Sequence, residues 1–517
     1  MMQQKEVGRV IGEPRPLSYL FKADVGIPLM THDYVVAEVT EYENNEAVVR
    51  EVLGEIMTLT SKSPLATEEM SAVFTSEEYT YKVGRVKVLG YLKNQLVYLP
   101  RTPVMPNATV YLASKELLQS FFTKKDDKIT VSIGNVLMRP DTPISIDLNE
   151  MARPGLVAGS TRSGKSYTVG TVIERILRET PFPVVVLDVH NDYVYMDQQS
   201  DGAEIQDYNV VVYYPPDAKL QPDIKATSKE LMFTMSKVSS EELMAFFATT
   251  GELQEIRIEE AVRYLKATGK PFDLGDIIQY IKDKLNETDA NGKSVIRGND
   301  RFSWEHVRER LVNLNKVIPF KAAGIEAAEF FKPKTLSVIS LNGLRASLQD
   351  TYASILINML LHKLMDDRGK EQVIFLFVEE AHRMVSRDAK PFSVDTVKTA
   401  VREGAKFGLF TTLITQSPSA IDPGIIANIG NFMVLRLVNE KDKNIITEAS
   451  ETVSQDVVND LPSLNVGEAA LVGDFVPIST LVKVTGRTAK HGGMTPDLKK
   501  IADRLNSIKD DTPTKEW

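Results

Sequence analysis

Residues 159–166 read Gly159-Ser160-Thr161-Arg162-Ser163-Gly164-Lys165-Ser166, the full pattern G-x-x-x-x-G-K-[ST] of a phosphate-binding loop. Such a loop works only where an apolar strand enters it and a helix leaves it. The short run 154–158 supplies the strand, and Val169, Val172, Ile173, Ile176 and Leu177 recur with helical spacing after it. In that setting successive backbone N–H groups and a positive helix N-terminus face phosphate oxygens. Lys165 is expected to reach the β- and γ-phosphates, and the Ser166 hydroxyl to ligate Mg²⁺. Tyr167 completes the expected nucleotide-binding set. The pattern therefore predicts ATP as ligand and an ATPase as the class of protein.

At 517 residues the chain is long enough for several domains with cores of their own. Its charged fraction of 25% is ordinary. No apolar run reaches the ~18 residues needed to span a bilayer; the longest candidate, 352–364, is interrupted by Asn358 and His362. The first residues lack the apolar core of a signal peptide. The absence of cysteine excludes disulfides and thiolate metal sites. The expectation is a cytoplasmic protein with no membrane anchor. A net charge of −9 argues against uniform coating of DNA, but not against a local basic channel.

The order of patterns predicts an α/β protein in five parts. Residues 1–120 carry short β-branched runs at 7–11, 34–39, 47–57, 78–88 and 95–99, the spacing of a small closed N-terminal β-barrel. A charged linker around 124–128 leads into strands 129–136 and 144–148. Residues 121–225 then hold the first part of the ATPase core, including the apolar strand 183–189, as expected of a sheet buried on both faces. Residues 226–332 break the alternation with helical segments at 241–247, 253–268, 274–285 and 304–317. The core resumes over 333–487, with strands at 335–341, 373–378, 409–415 and 432–438 and helices at 349–365, 394–407 and 421–429. An antiparallel pair closes it within 468–484. Residues 488–517 form a C-terminal arm.

Three further places carry chemistry. The strand 373–378 ends in Glu379 and Glu380, a carboxylate pair delivered to the C-terminal edge of the sheet, where ligands bind. Glu379 is expected to hold Mg²⁺ through water, and Glu380 to polarise the attacking water. Asp188, ending the strand 183–189 that follows the phosphate-loop helix, either faces the metal or caps its own strand. Gln416 ends the strand 409–415 and either senses the γ-phosphate or caps a loop. Arg402 and Arg153 are candidate contacts to phosphate, Arg402 from a neighbouring subunit; either is otherwise a solvated surface arginine. The six histidines show no metal-binding spacing, and His190 and His382 are spaced as unrelated residues.

Taken together these residues resemble the HerA/FtsK branch of hexameric translocating ATPases, its HerA-type members most closely. The resemblance runs through Gly8-Arg9-Val10-Ile11-Gly12, Asp147-Leu148-Asn149, Leu187-Asp188-Val189-His190-Asn191-Asp192-Tyr193, Glu379-Glu380-Ala381-His382, Arg402-Glu403-Gly404, Ile414-Thr415-Gln416 and Leu435-Arg436-Leu437-Val438-Asn439. It implies a RecA-like P-loop core with a helical-bundle insertion and an N-terminal β-barrel. It also implies a homohexamer that moves double-stranded DNA through its pore and acts with a NurA-like nuclease in end resection and double-strand break repair. Its arm is expected to reach a neighbouring subunit. Three positions depart from the family: Arg162 stands where glycine is frequent, Lys406 where arginine is frequent, and Ser417 where a basic residue is frequent. Lys406 is therefore an alternative to Arg402 as the residue acting in trans. Arg383, Arg387, Lys390 and Lys398 either line a channel or form a solvated face. A packaging or secretion motor recruited to a portal, and an ATPase that clamps DNA without moving, fit the same residues.

Overall fold

The computed structural model describes the chain apart from residues 1–4, 25, 63–80, 95, 124–127, 217–219, 222, 236–242, 244–251, 318–319, 368–370, 389–392, 450–452, 454, 494–497 and 511–517. Most of the expected linker 124–128, most of the expected helix 241–247 and the whole of Lys390 lie outside the described residues.

Seven strands come first: β1 (Glu6–Arg15), β2 (Ser18–Ala23), β3 (Tyr34–Glu43), β4 (Glu46–Lys62), β5 (Tyr81–Lys93), β6 (Leu96–Tyr98) and β7 (Thr109–Leu112). Their order is β2-β1-β7-β3-β4-β5-β6, and β2 also pairs with β5. That pairing closes six of them into a barrel and leaves β6 outside it. Val7, Val10, Phe21, Val35, Ala37, Val39, Val52 and Val86 fill the interior, as the two-residue period of strands directs.

Helix α1 (Lys115–Phe122) leads to β8 (Thr130–Val136) and β9 (Arg139–Asp147). The core then runs through β10 (Gly155–Ala158), α2 (Lys165–Glu179), β11 (Val184–Asp188), β12 (Asn209–Tyr214) and β13 (Thr227–Glu230). Among the described residues, three helices, α3 (Glu252–Ala267), α4 (Leu274–Asn286) and α5 (Gly298–Val317), lie in the insertion between the short paired strands β14 (Phe233–Thr234) and β15 (Phe320–Lys321). The core resumes with β16 (Thr335–Ser340), α6 (Ala346–Asp366), β17 (Ile374–Val378), α7 (Val394–Phe407), β18 (Leu409–Thr415), β19 (Asn431–Leu435), β20 (Glu468–Val472) and β21 (Thr480–Val484). Twelve of these strands share one sheet, ordered β13-β12-β16-β11-β17-β18-β10-β19-β20-β21-β8-β9. It is parallel from β13 to β19 and antiparallel beyond.

The central strands are buried on both faces, which is why they read as unbroken apolar runs. Leu156, Val185, Leu187 and Leu376 pack with α6 and α7, while Val157, Val184, Val186 and Phe377 pack with α2. The α2 side is continuous with Tyr34, Val36 and Leu53 of the barrel and with Phe121 and Phe122 of α1.

Two expectations need correction. Thr227–Glu230 is an edge strand of the core sheet, so the helical insertion does not begin at 226; a short polar edge strand gives no apolar signal. The helix expected over 421–429 shrinks to Pro423–Ile426, capped by the Asp422 side chain on the Gly424 N–H. Helices Glu440–Ala449 and Gln455–Asp460 were not expected.

Candidate nucleotide site

The phosphate loop leaves β10 at Ala158 and enters α2 at Lys165. Gly164 has φ of 99°, and a Cβ there would lie 3.0 Å from the Gly467 nitrogen; both facts require glycine. Three neighbouring segments frame the loop. Gly159 N–H donates to Thr415 O (3.3 Å), Ser160 N–H to Arg436 O (2.8 Å), and Gly467 N–H to Ser163 O (3.1 Å). Arg162 sits exposed at the tip with φ of 61°. That left-handed backbone is one that glycine adopts freely and a side chain rarely does. Lys165 Nζ donates to Gly159 O (2.7 Å) and Ser160 O (3.0 Å). Burial lowers its pKa, against the pull of Glu380, Glu379 and Asp192.

β17 lies between β11 and β18, so its terminal acids meet the ends of both neighbours. Gln416, just past β18, joins the loop to the acid pair. Thr161 Oγ1 donates to Gln416 Oε1 (2.6 Å), and Gln416 Nε2 donates to Glu380 Oε1 (2.6 Å). His190 Nε2 stands 3.6 Å from Glu380 Oε1, and His382 Nδ1 stands 3.3 Å from Oε2. Burial works against charge on Glu380, yet the His190 imidazole beside it, the hydrogen bond from Gln416 and the neighbouring His382 lower its pKa to about 2. Glu380 is thus an ionised carboxylate linked through Gln416 to the phosphate loop, placed to orient and polarise an attacking water. Its own φ of 49° is unusual for a residue with a side chain.

Asp188 lies beside Glu379, with its oxygens bonded mainly to its own loop. Its Oδ1 accepts the N–H groups of His190 (3.2 Å) and Asp192 (3.1 Å), and its Oδ2 accepts that of Tyr193 (2.9 Å). These bonds cap the loop after β11, the second of the two roles expected of Asp188, and leave few acceptor positions for a metal. Burial raises its pKa to about 6, and burial beside Asp188 and Asp192 raises that of Glu379 well above the ordinary range. Glu379 Oε2 accepts the Val189 N–H (3.2 Å).

Among the described residues no three His, Asp or Glu side chains form a metal cage by themselves. Ser166 and Glu379 nevertheless suit Mg²⁺, a hard cation usually held by one or two protein oxygens together with substrate phosphates. Bound there, it would neutralise charge on the phosphates.

The two arginines expected to touch phosphate are not brought to this site within the chain. Arg153 precedes β10 and so stands at the opposite edge of the sheet, about 13 Å of strand from the loop; it pairs with Asp474 (2.5 Å). Arg402 is exposed on α7 near Gly424, and Lys406 is exposed one turn further. Arg383 and Arg387 are exposed, whereas Lys398 is engaged by Asp422 (3.2 Å).

The histidines were the missed residues. His190 and His382 each follow a strand-end acid by two residues, in Asp188-Val189-His190 and Glu380-Ala381-His382, and their strands are adjacent. That shared spacing was the available signal. Arg487 and Glu174 were also missed; they fasten residues 487–489 to α2.

The fold and site define a phosphate-loop ATPase with a RecA-like core. Residues 131–360 match the family described as helicase HerA, central domain. The chain is 26% identical to the DNA double-strand break repair helicase HerA of Saccharolobus solfataricus, over 95% of this chain and 94% of that protein. It is 26% identical to the same-named protein of Sulfurisphaera tokodaii, over 86% and 88%. It is 24% identical to that of Pyrococcus furiosus, over 97% of each. Among solved structures, VirB4 of Thermoanaerobacter pseudethanolicus is similar at 13% identity and a TM-score of 0.49, covering 71% of this chain and 99% of that one. The match to the central-domain family covers residues 131–360, and the similarity to HerA helicases runs along nearly the whole chain.

Proposed function

We propose that this protein is a HerA-type DNA helicase that hydrolyses ATP with Mg²⁺ to move double-stranded DNA through a homohexameric ring, feeding a NurA-like nuclease in end resection. The observation that carries the reading is the hydrogen-bonded chain from Thr161 through Gln416 to Glu380. It ties the phosphate grip to the water-activating carboxylate, so occupancy by a γ-phosphate would alter both at once. Ser166 and Glu379 hold the metal; Glu380 takes the proton from water; Gln416 reports the γ-phosphate. Arg402 or Lys406, exposed on α7, completes a neighbour's site. The similarity to double-strand break repair helicases supports DNA as the track.

A motor that works on any sequence grips phosphates rather than base edges. Binding is expected to be indifferent to sequence and to fall steeply with salt as counterions are no longer released to advantage. The test is ATP turnover on linear duplex, closed circles and single strands, with streptavidin displacement from duplex and native mass spectrometry. Turnover stimulated by linear duplex and a mass about six times 57.7 kDa are expected. Turnover indifferent to every nucleic acid would sink the DNA reading and bring the portal-motor reading forward.

A further inference from the structure

Glu380 is approached by three side chains. Gln416 Nε2 donates to its Oε1 (2.6 Å), and His190 Nε2 faces the same oxygen from 3.6 Å. His382 Nδ1 faces Oε2 from 3.3 Å. An ionised carboxylate only accepts, so in each ring the nitrogen turned toward it is the one that carries a proton. Gln416 is shared with the phosphate loop, because its Oε1 accepts the Thr161 hydroxyl (2.6 Å). A γ-phosphate that draws Gln416 away therefore takes a bond from Glu380 at the moment the carboxylate has to orient water. The two imidazoles are tied to the frame instead. His382 sits on the short turn Ala381–Arg383 after β17. Its Nδ1 also lies 3.2 Å from the Thr415 hydroxyl of β18, which accepts the Ser417 N–H (3.0 Å). His190 N–H donates to Asp188 Oδ1 (3.2 Å), so the cap on β11 holds the backbone that carries this ring. The His190 side chain is 45% exposed, so core packing does not account for its place. Glu380 itself has a φ of 49°, a backbone that a residue with a side chain keeps only where its surroundings hold it.

We propose that His382 and His190 are positioning residues that clamp the two oxygens of Glu380 and keep the carboxylate aimed at the attacking water while Gln416 answers to the phosphate. The inference rests on the reading of Glu380 as the carboxylate that activates water, and adds what holds it. A carboxylate free to rotate loses its aim, and a misplacement of about 1 Å costs on the order of 10²-fold in rate. The clamp also specifies which nitrogen of each ring matters. The amide nitrogen of asparagine stands as many bonds from the backbone as Nδ1 of histidine, and that of glutamine as many as Nε2.

The test measures ATP binding and steady-state turnover of the full chain with Mg²⁺ and linear duplex. His382→Leu and His190→Leu are expected to lower kcat by roughly tenfold to a hundredfold with ATP affinity unchanged. His382→Asn is expected to keep more turnover than His382→Gln, and His190→Gln more than His190→Asn. Adding His382→Leu to Glu380→Gln is expected to cost nothing further, because the ring acts through the carboxylate. Undiminished kcat in both leucine variants, an amide preference that does not reverse between the two positions, or a further loss on top of Glu380→Gln overturns the clamp. So does loss of ATP binding in step with turnover, which would make the histidines supports of the whole site. Near-normal turnover in Glu380→Gln instead removes Glu380 from the reaction, and the clamp falls with that reading.

Discussion

At the scale of single residues, the site separates holding from reacting. In the proposed reading Lys165 and the loop amides meet phosphate, while Glu380, held ionised by its imidazole and amide neighbours, meets water. Lys165→Ala is expected to lose nucleotide binding. Glu380→Gln is expected to keep binding and to lose turnover by roughly 10²- to 10⁴-fold, the usual share of a general base. Purified variants assayed for both quantities decide this; near-normal turnover in Glu380→Gln would remove it from the reaction. Because its pKa is only about 2, moderate acid leaves Glu380 charged, so an activity loss near pH 5 has another source.

At the scale of elements, α2 carries the loop and is gripped along one face by the chain that follows β21. Glu174, buried on that face, accepts Thr488 N–H (3.0 Å), Ala489 N–H (3.1 Å), Thr488 Oγ1 (2.5 Å) and Arg178 Nε (2.9 Å). Gly170, one turn earlier, leaves room for Arg487: a Cβ there would lie 2.2 Å from its Nη1. Burial disfavours charge on Glu174, but its bonds to Thr488, Ala489 and Arg178 win and lower its pKa. Its stabilisation is therefore complete above the unfolded value of about 4.3 and is lost as pH falls through the lower folded one. Glu174→Gln turns an amide toward N–H donors and is expected to cost about 1.5–3 kcal/mol at neutral pH. Urea unfolding at several pH values checks both parts: the gap between variant and unaltered protein should narrow below about pH 4.

At the scale of the whole molecule, the barrel is joined to the core by a polar seam as well as by shared apolar packing. Arg85 pairs with Asp456 (2.8 Å), and the Tyr34 hydroxyl bonds Thr480 (2.7 Å). His32 Nδ1 meets Glu55 (2.8 Å) while its Nε2 faces Asp460 of the core (3.6 Å). Burial lowers the His32 pKa, but the bond to Glu55 and the charges of Glu55 and Asp460 outweigh it, and the net shift is upward. A raised histidine contributes stability that is fully present below the unfolded value of about 6.5 and is lost as pH rises through the folded value. The seam is expected to loosen as pH rises from about 6.5 through the raised folded value, and His32→Gln to flatten that dependence. Limited proteolysis across this range measures it; an identical profile in the variant would assign the effect to other groups.

Local pattern determined a good deal of this protein by itself. The phosphate loop, the acid pair at the end of β17 and the glutamine after β18 were legible because each is a short motif delivered by a strand whose burial on both faces makes it continuously apolar. Helix α7 and strand β18 were read at their observed bounds for the same reason, a strong period between clear stops. The polar edge strand β13 was not, because edge strands need no apolar run. Which oxygens Asp188 has left for a metal, the gathering of His190 and His382 on Glu380, the placement of Arg153 at the far edge of the sheet and the clasp of Glu174 on Thr488 and Ala489 were decided only by tertiary structure. Each joins or separates groups distant in sequence, or turns on a side chain's choice among partners. Sheet order and hydrogen-bond geometry determine such choices; spacing along the chain does not.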